Sequence, residues 1–184
     1  MFLLWARWQD TAVNSIKSVL EQGLGERARE ISDQITRTLQ NHKSQILELT
    51  TQQPLRTYAR GALQSNQVLP DRQLQIDLSA FLLAHQREYS ALIGVNRQGA
   101  PLFKIGIGTK PNGSFYPFVV ERDFPSEDIV RMPDTFADAA MDVIFVSEIQ
   151  QDTSGPYLQL IAPLRDDSNH ITAALVVKLK ADQL

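Results

Sequence analysis

The chain has 184 residues, 43% hydrophobic and 21% charged, with a net charge of -3. That size allows one domain with an appendage, and the hydrophobic share excludes a disordered or collagen-like chain. Near-balanced charge argues against a nucleic-acid binder, and the absence of cysteine excludes disulfide scaffolds, thiolate metal sites and cysteine nucleophiles.

The first six residues, Met1 to Ala6, are apolar and Arg7 ends the run. A membrane-spanning helix needs about 20 apolar residues, and the features of a signal peptide are missing. Two readings stay open. One is a hydrophobic helix start that packs on the protein. The favoured one is the trimmed end of a transmembrane helix over residues 1–9, with Trp5, Arg7 and Trp8 at the interface.

No proline occurs before Pro54. Val13, Ile16, Leu20, Leu24, Ala28, Ile31, Ile35, Leu39, His42, Ile46 and Leu49 step by three or four, which predicts a long amphipathic helix. Gly23 and Gly25 have low helix propensity and predict a kink or break. Pro54 fits the first turn of a separate short helix over Leu55 to Leu63. Residues 26–52 alone would make a rod of about 40 Å. A lobe of about 120 residues has a radius of gyration near 13–14 Å and cannot cover such a stripe. The simplest partner is the same helix of a second copy, so residues 10–64 are expected to carry dimerisation and residues 65–184 to form the lobe.

In the lobe, Asp71 predicts an N-cap and Leu74, Leu78, Phe81 and Leu82 a second helix to about Gln86. The period then changes to two. Tyr89 to Val95 and Pro101 to Ile107 read as a hairpin about Asn96–Gly99, followed by a mixed aromatic segment from Phe115 to Val120. Ser126 to Arg131 and Asp134 to Met141 read as short helices. Val143 to Ile149, Tyr157 to Leu164 and Ile171 to Lys180 read as strands, the last with one buried face and with Thr172, Lys178 and Lys180 on the other. The expected fold is α+β: a long N-terminal helix, then a five-stranded antiparallel sheet with short helices on one face.

Chemistry-bearing patterns are few. His42, His85 and His170 stand far apart without metal-ligand spacing and read as surface or capping residues. Glu121, Asp123, Glu127 and Asp128 form an acidic run without the alternating geometry of a calcium loop, and read as solvated charges. No phosphate-binding loop, dinucleotide fingerprint or nucleophile elbow occurs. An enzyme is not expected, nor any cofactor or metal.

Four phrases, in order and spacing, resemble the Cache (PAS-like, PDC-like) family of extracytoplasmic sensor domains found in bacterial histidine kinases, chemoreceptors and diguanylate cyclases. They are Leu49–Arg60 (LTTQQPLRTYAR), Ala91–Leu102 (ALIGVNRQGAPL), Phe136–Ile149 (FADAAMDVIFVSEI) and Leu158–Leu175 (LQLIAPLRDDSNHITAAL). The resemblance implies the periplasmic sensing module of a membrane-tethered receptor, used as a dimer, whose long helix relays a signal to an output domain outside this chain. It also implies a small ligand held between the sheet and segment 108–141. Phe115, Tyr116, Arg131 and Phe136 from that segment, with Phe145, Ser147, Tyr157 and Gln159 from the strands, are then the candidate lining. Their aromatic and cationic mixture suits an anionic or zwitterionic ligand. Amino-acid-binding members carry an Arg-x-Trp-Tyr-like motif where this sequence has Arg131-Met-Pro-Asp134. The alternative is a ligandless dimerisation or protein-interaction module of the same receptor type, its pocket plugged by Phe115, Tyr116 or Phe136. A polar pocket of several hundred Å³ beside Arg131 would favour sensing. A cytoplasmic PAS domain with a cofactor fits the leading helix less well.

Overall fold

The computed structural model describes the backbone except at residues 1, 65–69, 122, 141–142 and 153–154, and the side chains except at 1–22, 62–69, 122, 127, 141–142 and 153–154. The side chains of the apolar start, including Trp5 and Trp8, and those of Arg122 and Glu127 thus lie outside the described residues. The chain divides into two compact units, residues 1–41 and His42–Leu184. Helix α1 (Phe2–Thr50) supplies the first unit and its end belongs to the second. Of the expected kink or break, the break is absent: α1 runs unbroken through Gly23 and Gly25. Both are exposed with open space around them, so their cost is only the propensity loss of about 1 kcal/mol each. Among the described residues, no helix is long and apolar enough to cross a membrane.

The second unit continues with α2 (Gln53–Gln64) and α3 (Arg72–Ala84). The Asp71 carboxylate accepts the Leu74 N–H at 2.8 Å and caps α3, while His85 closes it by donating its N–H to the Phe81 carbonyl. Both agree with the reading of the sequence, because a short acceptor before an apolar 3.6-period run satisfies the free first-turn donors. Leu74, Leu78 and Leu82 form the buried stripe of α3.

The sheet comprises β1 (Tyr89–Asn96), β2 (Pro101–Thr109), β3 (Phe115–Val120), β4 (Phe145–Val146), β5 (Gln150–Asp152), β6 (Gly155–Arg165) and β7 (Ile171–Lys180). All the pairs are antiparallel and the order is β3-β2-β1-β7-β6-β4, with β5 also on β6. Seven strands replace the five expected. The aromatic segment is an edge strand, where Pro117 lacks only a solvent-facing donor. The predicted strand over Val143 to Ile149 shrinks to the two-residue β4, and β5 begins only after it, at Gln150. The two predicted helices shrink to single 3-10 turns at Ser126–Asp128 and Phe136–Asp138.

One face of the sheet carries the helices: α3 packs on β1, β2 and β3, and α2 on β6 and β7. Tyr58 of α2 meets Phe103 of β2 edge-on at 5.4 Å. The opposite face is covered by the segment between β3 and β4, whose Val130 and Phe136 join Ile93, Val95, Ile161, Ala174 and Val176 in one apolar cluster. β7 is therefore buried on both faces from Ile171 to Leu179, not on one as its alternation suggested. The neutralisation of Lys178, described next, makes this tolerable.

Candidate functional site

Antiparallel partners point to the same face, so the register fixes what the covering segment meets. Ile93 pairs with Lys104 and Val176, Val176 with Ile161, and Lys178 with Gln159. Lys104 and Lys178 thus rise on either side of β1, with Gln159 beside Lys178. Onto them the segment lowers Asp128, which is 0% exposed. Its carboxylate accepts both Lys104 Nζ, at 2.7 and 2.9 Å, and Lys178 Nζ, at 3.0 Å. Asp152 of β5 lies 3.6 Å from Lys178, and the ammonium stands 4.7 Å from the centre of the Tyr157 ring. Burial by itself would lower the Lys178 pKa. The hydrogen bond and charge of Asp128, helped by Tyr157 and Asp152, outweigh it and hold the pKa above the ordinary lysine value.

The acidic run therefore does not behave as one solvated patch: Asp128 is its buried member. The signal for this cluster lay in the strands. Lys104 stands between Phe103 and Ile105, and Lys178 between Val177 and Leu179. A buried ammonium requires a counter-charge.

Next to this cluster is a cleft of about 460 Å³, lined by Arg131, Met132, Pro133, Asp134, Val146, Ser147, Glu148, Gln150 and Gln159. Among the candidate residues, the structure brings Arg131, Ser147 and Gln159 together here. Arg131 is exposed. Gln159 is only 2% exposed. Ser147 is occupied locally: its hydroxyl donates to the Glu148 carbonyl at 2.7 Å and accepts the Gln159 N–H at 2.8 Å. Tyr157 sits behind the wall, donating its hydroxyl to Gln150 Oε1 at 2.9 Å and so orienting that amide.

The remaining candidates lie elsewhere. Phe136 is buried in the apolar cluster, with Phe145 packed against it at 6.0 Å between ring centroids. Phe115 and Tyr116 lie on the edge strand β3, 50% and 40% exposed, and do not line the cleft. Tyr116 and Phe118 lie over Gly108 and Gly106, where an added Cβ would stand 2.6 and 2.4 Å from the rings.

A second polar cluster sits on the helix face. His42, expected at the surface, is 6% exposed. Its Nδ1 lies 2.9 Å from the Tyr89 hydroxyl, which donates to Gln45 Oε1 at 2.8 Å. The Tyr89 proton is committed to Gln45, so His42 is the donor. Glu88 lies 3.9 Å from His42 and 3.3 Å from His85. Burial lowers the His42 pKa below 6.5 and His85 adds to this, while Glu88 and the Gln45 hydrogen bond oppose it. The stripe had to bury its end against β1, which took His42 inward. His170, by contrast, is exposed in its turn as expected. Among the described residues, no group of three or more metal-ligating side chains gathers.

No family model matches the sequence, and no curated protein matches it. Solved structures do. The extracellular domain of vpHK1S-Z8, a protein assigned as a histidine kinase, aligns with a TM-score of 0.50 at 16% identity, over 85% of this chain and 58% of its own. A domain of a sensory box/GGDEF family protein from Vibrio parahaemolyticus aligns with a TM-score of 0.46 at 17% identity, over 82% and 59%. The chain thus spans less than two thirds of the length of either. With its long helix, central antiparallel sheet and covering segment, the chain shares its fold with that extracellular domain of vpHK1S-Z8.

Proposed function

We propose that this chain is the extracytoplasmic sensor module of a bacterial membrane signalling receptor. It takes a small anionic or zwitterionic ligand in the Arg131 cleft and passes its occupancy to α1. One observation carries the reading: the exposed guanidinium of Arg131 and the nearly inaccessible Gln159 line one cleft of about 460 Å³. That volume is typical of small-molecule sites. Arg131 offers a two-pronged donor for a carboxylate or phosphate, Gln159 and Gln150 supply orienting amides, and Asp134 and Glu148 can meet a positive group. The likeness to an extracellular domain supports the location. Nothing in the cleft pairs an acid and a base about a nucleophile, so the reading is binding without chemistry. Signalling would be a population shift, the ligand favouring one arrangement of the covering segment on the sheet.

The test is a thermal-shift screen of carboxylates, amino acids, amines and purines. A ligand at 100 times its Kd should stabilise the chain by about 2.7 kcal/mol, and Arg131→Gln should remove the effect. Silence across all four classes would favour the ligandless interaction module.

A further inference from the structure

We propose that Lys104 and Lys178 form a carboxylate seat that the chain fills with its own Asp128, and that a small free carboxylate exchanges with this tethered occupant, releasing the covering segment. The seat adjoins the Arg131 cleft but needs no ligand there.

Three observations carry it. The seat is built by the sheet alone: two ammonium groups on β2 and β7 converge above β1, held in register by the ladder. The occupant comes from a different kind of structure. Asp128 ends a single 3-10 turn, its N–H on the Pro125 carbonyl at 2.9 Å, in a segment whose described residues pair with no strand, and its carboxylate is held by the two lysines. Beyond the carboxylate, the turn is fastened by the Val130 N–H to the Gly99 carbonyl at 3.0 Å and by the buried Val130 side chain.

The charges also balance only with an occupant present. Lys104 and Lys178 face Asp128 and Asp152. With Asp128 withdrawn, two cations face one carboxylate in a largely dry site, and a second carboxylate is the group that restores neutrality. Lys104, whose side chain is 15% exposed against 3% for Lys178, gives the approach from solvent. An aspartate side chain presents to the lysines the same two oxygens as formate or acetate. The exchange therefore replaces like with like, and its cost lies in lifting the segment.

The experiment uses the full chain in sodium formate against sodium chloride at equal ionic strength. Asp128→Ala should lower the melting temperature by on the order of 10 °C, and formate should restore part of that loss saturably where chloride does not. Adding Lys178→Met should abolish the recovery. In the unaltered chain, formate should speed hydrogen exchange at the Val130 amide while leaving the β6–β7 ladder protected. Equal melting of Asp128→Ala in the two salts would overturn the seat. Equal Val130 exchange in the two salts would overturn the exchange, and this second measurement decides the matter even where the variant does not fold. A ligand that binds through Arg131 and ignores Lys178→Met would leave the cleft reading intact while this one fell.

Discussion

At the scale of single residues, the outcome turns on charges and polar atoms taken out of water. Asp128 and Lys178 are both nearly inaccessible and bonded at 3.0 Å, so each makes the other tolerable. Removing Asp128 leaves two ammonium groups facing Asp152 alone, which costs about 3–5 kcal/mol, whereas removing Lys178 costs less because Lys104 still holds the Asp128 carboxylate. Replacing both, as Asp128→Leu with Lys178→Met, should cost less than the sum of the two single changes, with a coupling of about 1–3 kcal/mol in a urea-unfolding cycle. Additive losses would mean that the pair does not interact. His42 gives the pH dependence. Its folded pKa lies below the ordinary 6.5, so the unfolded chain takes up the proton first. The stability from neutral His42 is fully present above about pH 6.5 and drains away as pH falls below it, through the folded pKa. Urea midpoints at pH 7.5 and 5.5 should therefore drop more for the natural chain than for His42→Gln. Tyr58 is the opposite case. Its hydroxyl is buried without a partner among the described residues, so Tyr58→Phe should leave stability unchanged or raise it by up to about 1 kcal/mol. A clear loss would reveal a hidden partner.

At the scale of elements, the strong regular patterns were readable and the short, tertiary-held ones were not. Asp71 and the leucines of α3, the alternation of β1 and the run Ile171–Lys180 each announce themselves locally, because cap chemistry and period need only neighbouring residues. The stretch from Val143 to Ile149 reads as one strand, yet pairing is broken around Ser147, whose hydroxyl takes the Gln159 N–H in place of a carbonyl. That substitution depends on a residue on another strand. The cleft was half legible for the same reason. Arg131, Ser147 and Gln159 were found through the family pattern, whereas the Asp128 cluster was missed because Lys104, Asp128 and Lys178 are far apart in sequence. The covering segment is fastened at Gly99, in the turn between β1 and β2. There φ is +84°, and an added Cβ would stand 1.8 Å from the Val130 carbonyl oxygen. Gly99→Ala should destabilise by at least about 1–3 kcal/mol from backbone strain alone. Loss of Val130 amide protection ahead of the β6–β7 amides would mark the segment as the part displaced.

At the scale of the whole molecule, the two units pose different problems. Residues His42–Leu184 contain the buried core, while residues 23–41 of α1 are mostly exposed, with Leu24 at 68% and Ile31 at 58%. These two lie one heptad apart, the spacing of a helix–helix seam. We extend the proposal to a dimer through α1, which predicts a mass in sedimentation equilibrium that rises with protein concentration. Leu24→Glu with Ile31→Glu should hold it at the monomer value without changing the unfolding midpoint of the compact unit. A concentration-independent monomer for the unaltered chain would remove this part of the proposal.

The strand order has a consequence for how the molecule is made. β7, formed by residues 171–180, lies between β1 and β6. A ribosome completes β1, β2 and β3 long before the strand that joins them to β6 exists. Until then the β1 edge faces water with its hydrogen-bonding groups open, and Asp128 has Lys104 but not Lys178 to receive it. Sheet closure, burial of both faces of β7 and neutralisation of the ion cluster therefore become a single late event, dominated by contacts distant in sequence and accordingly slow.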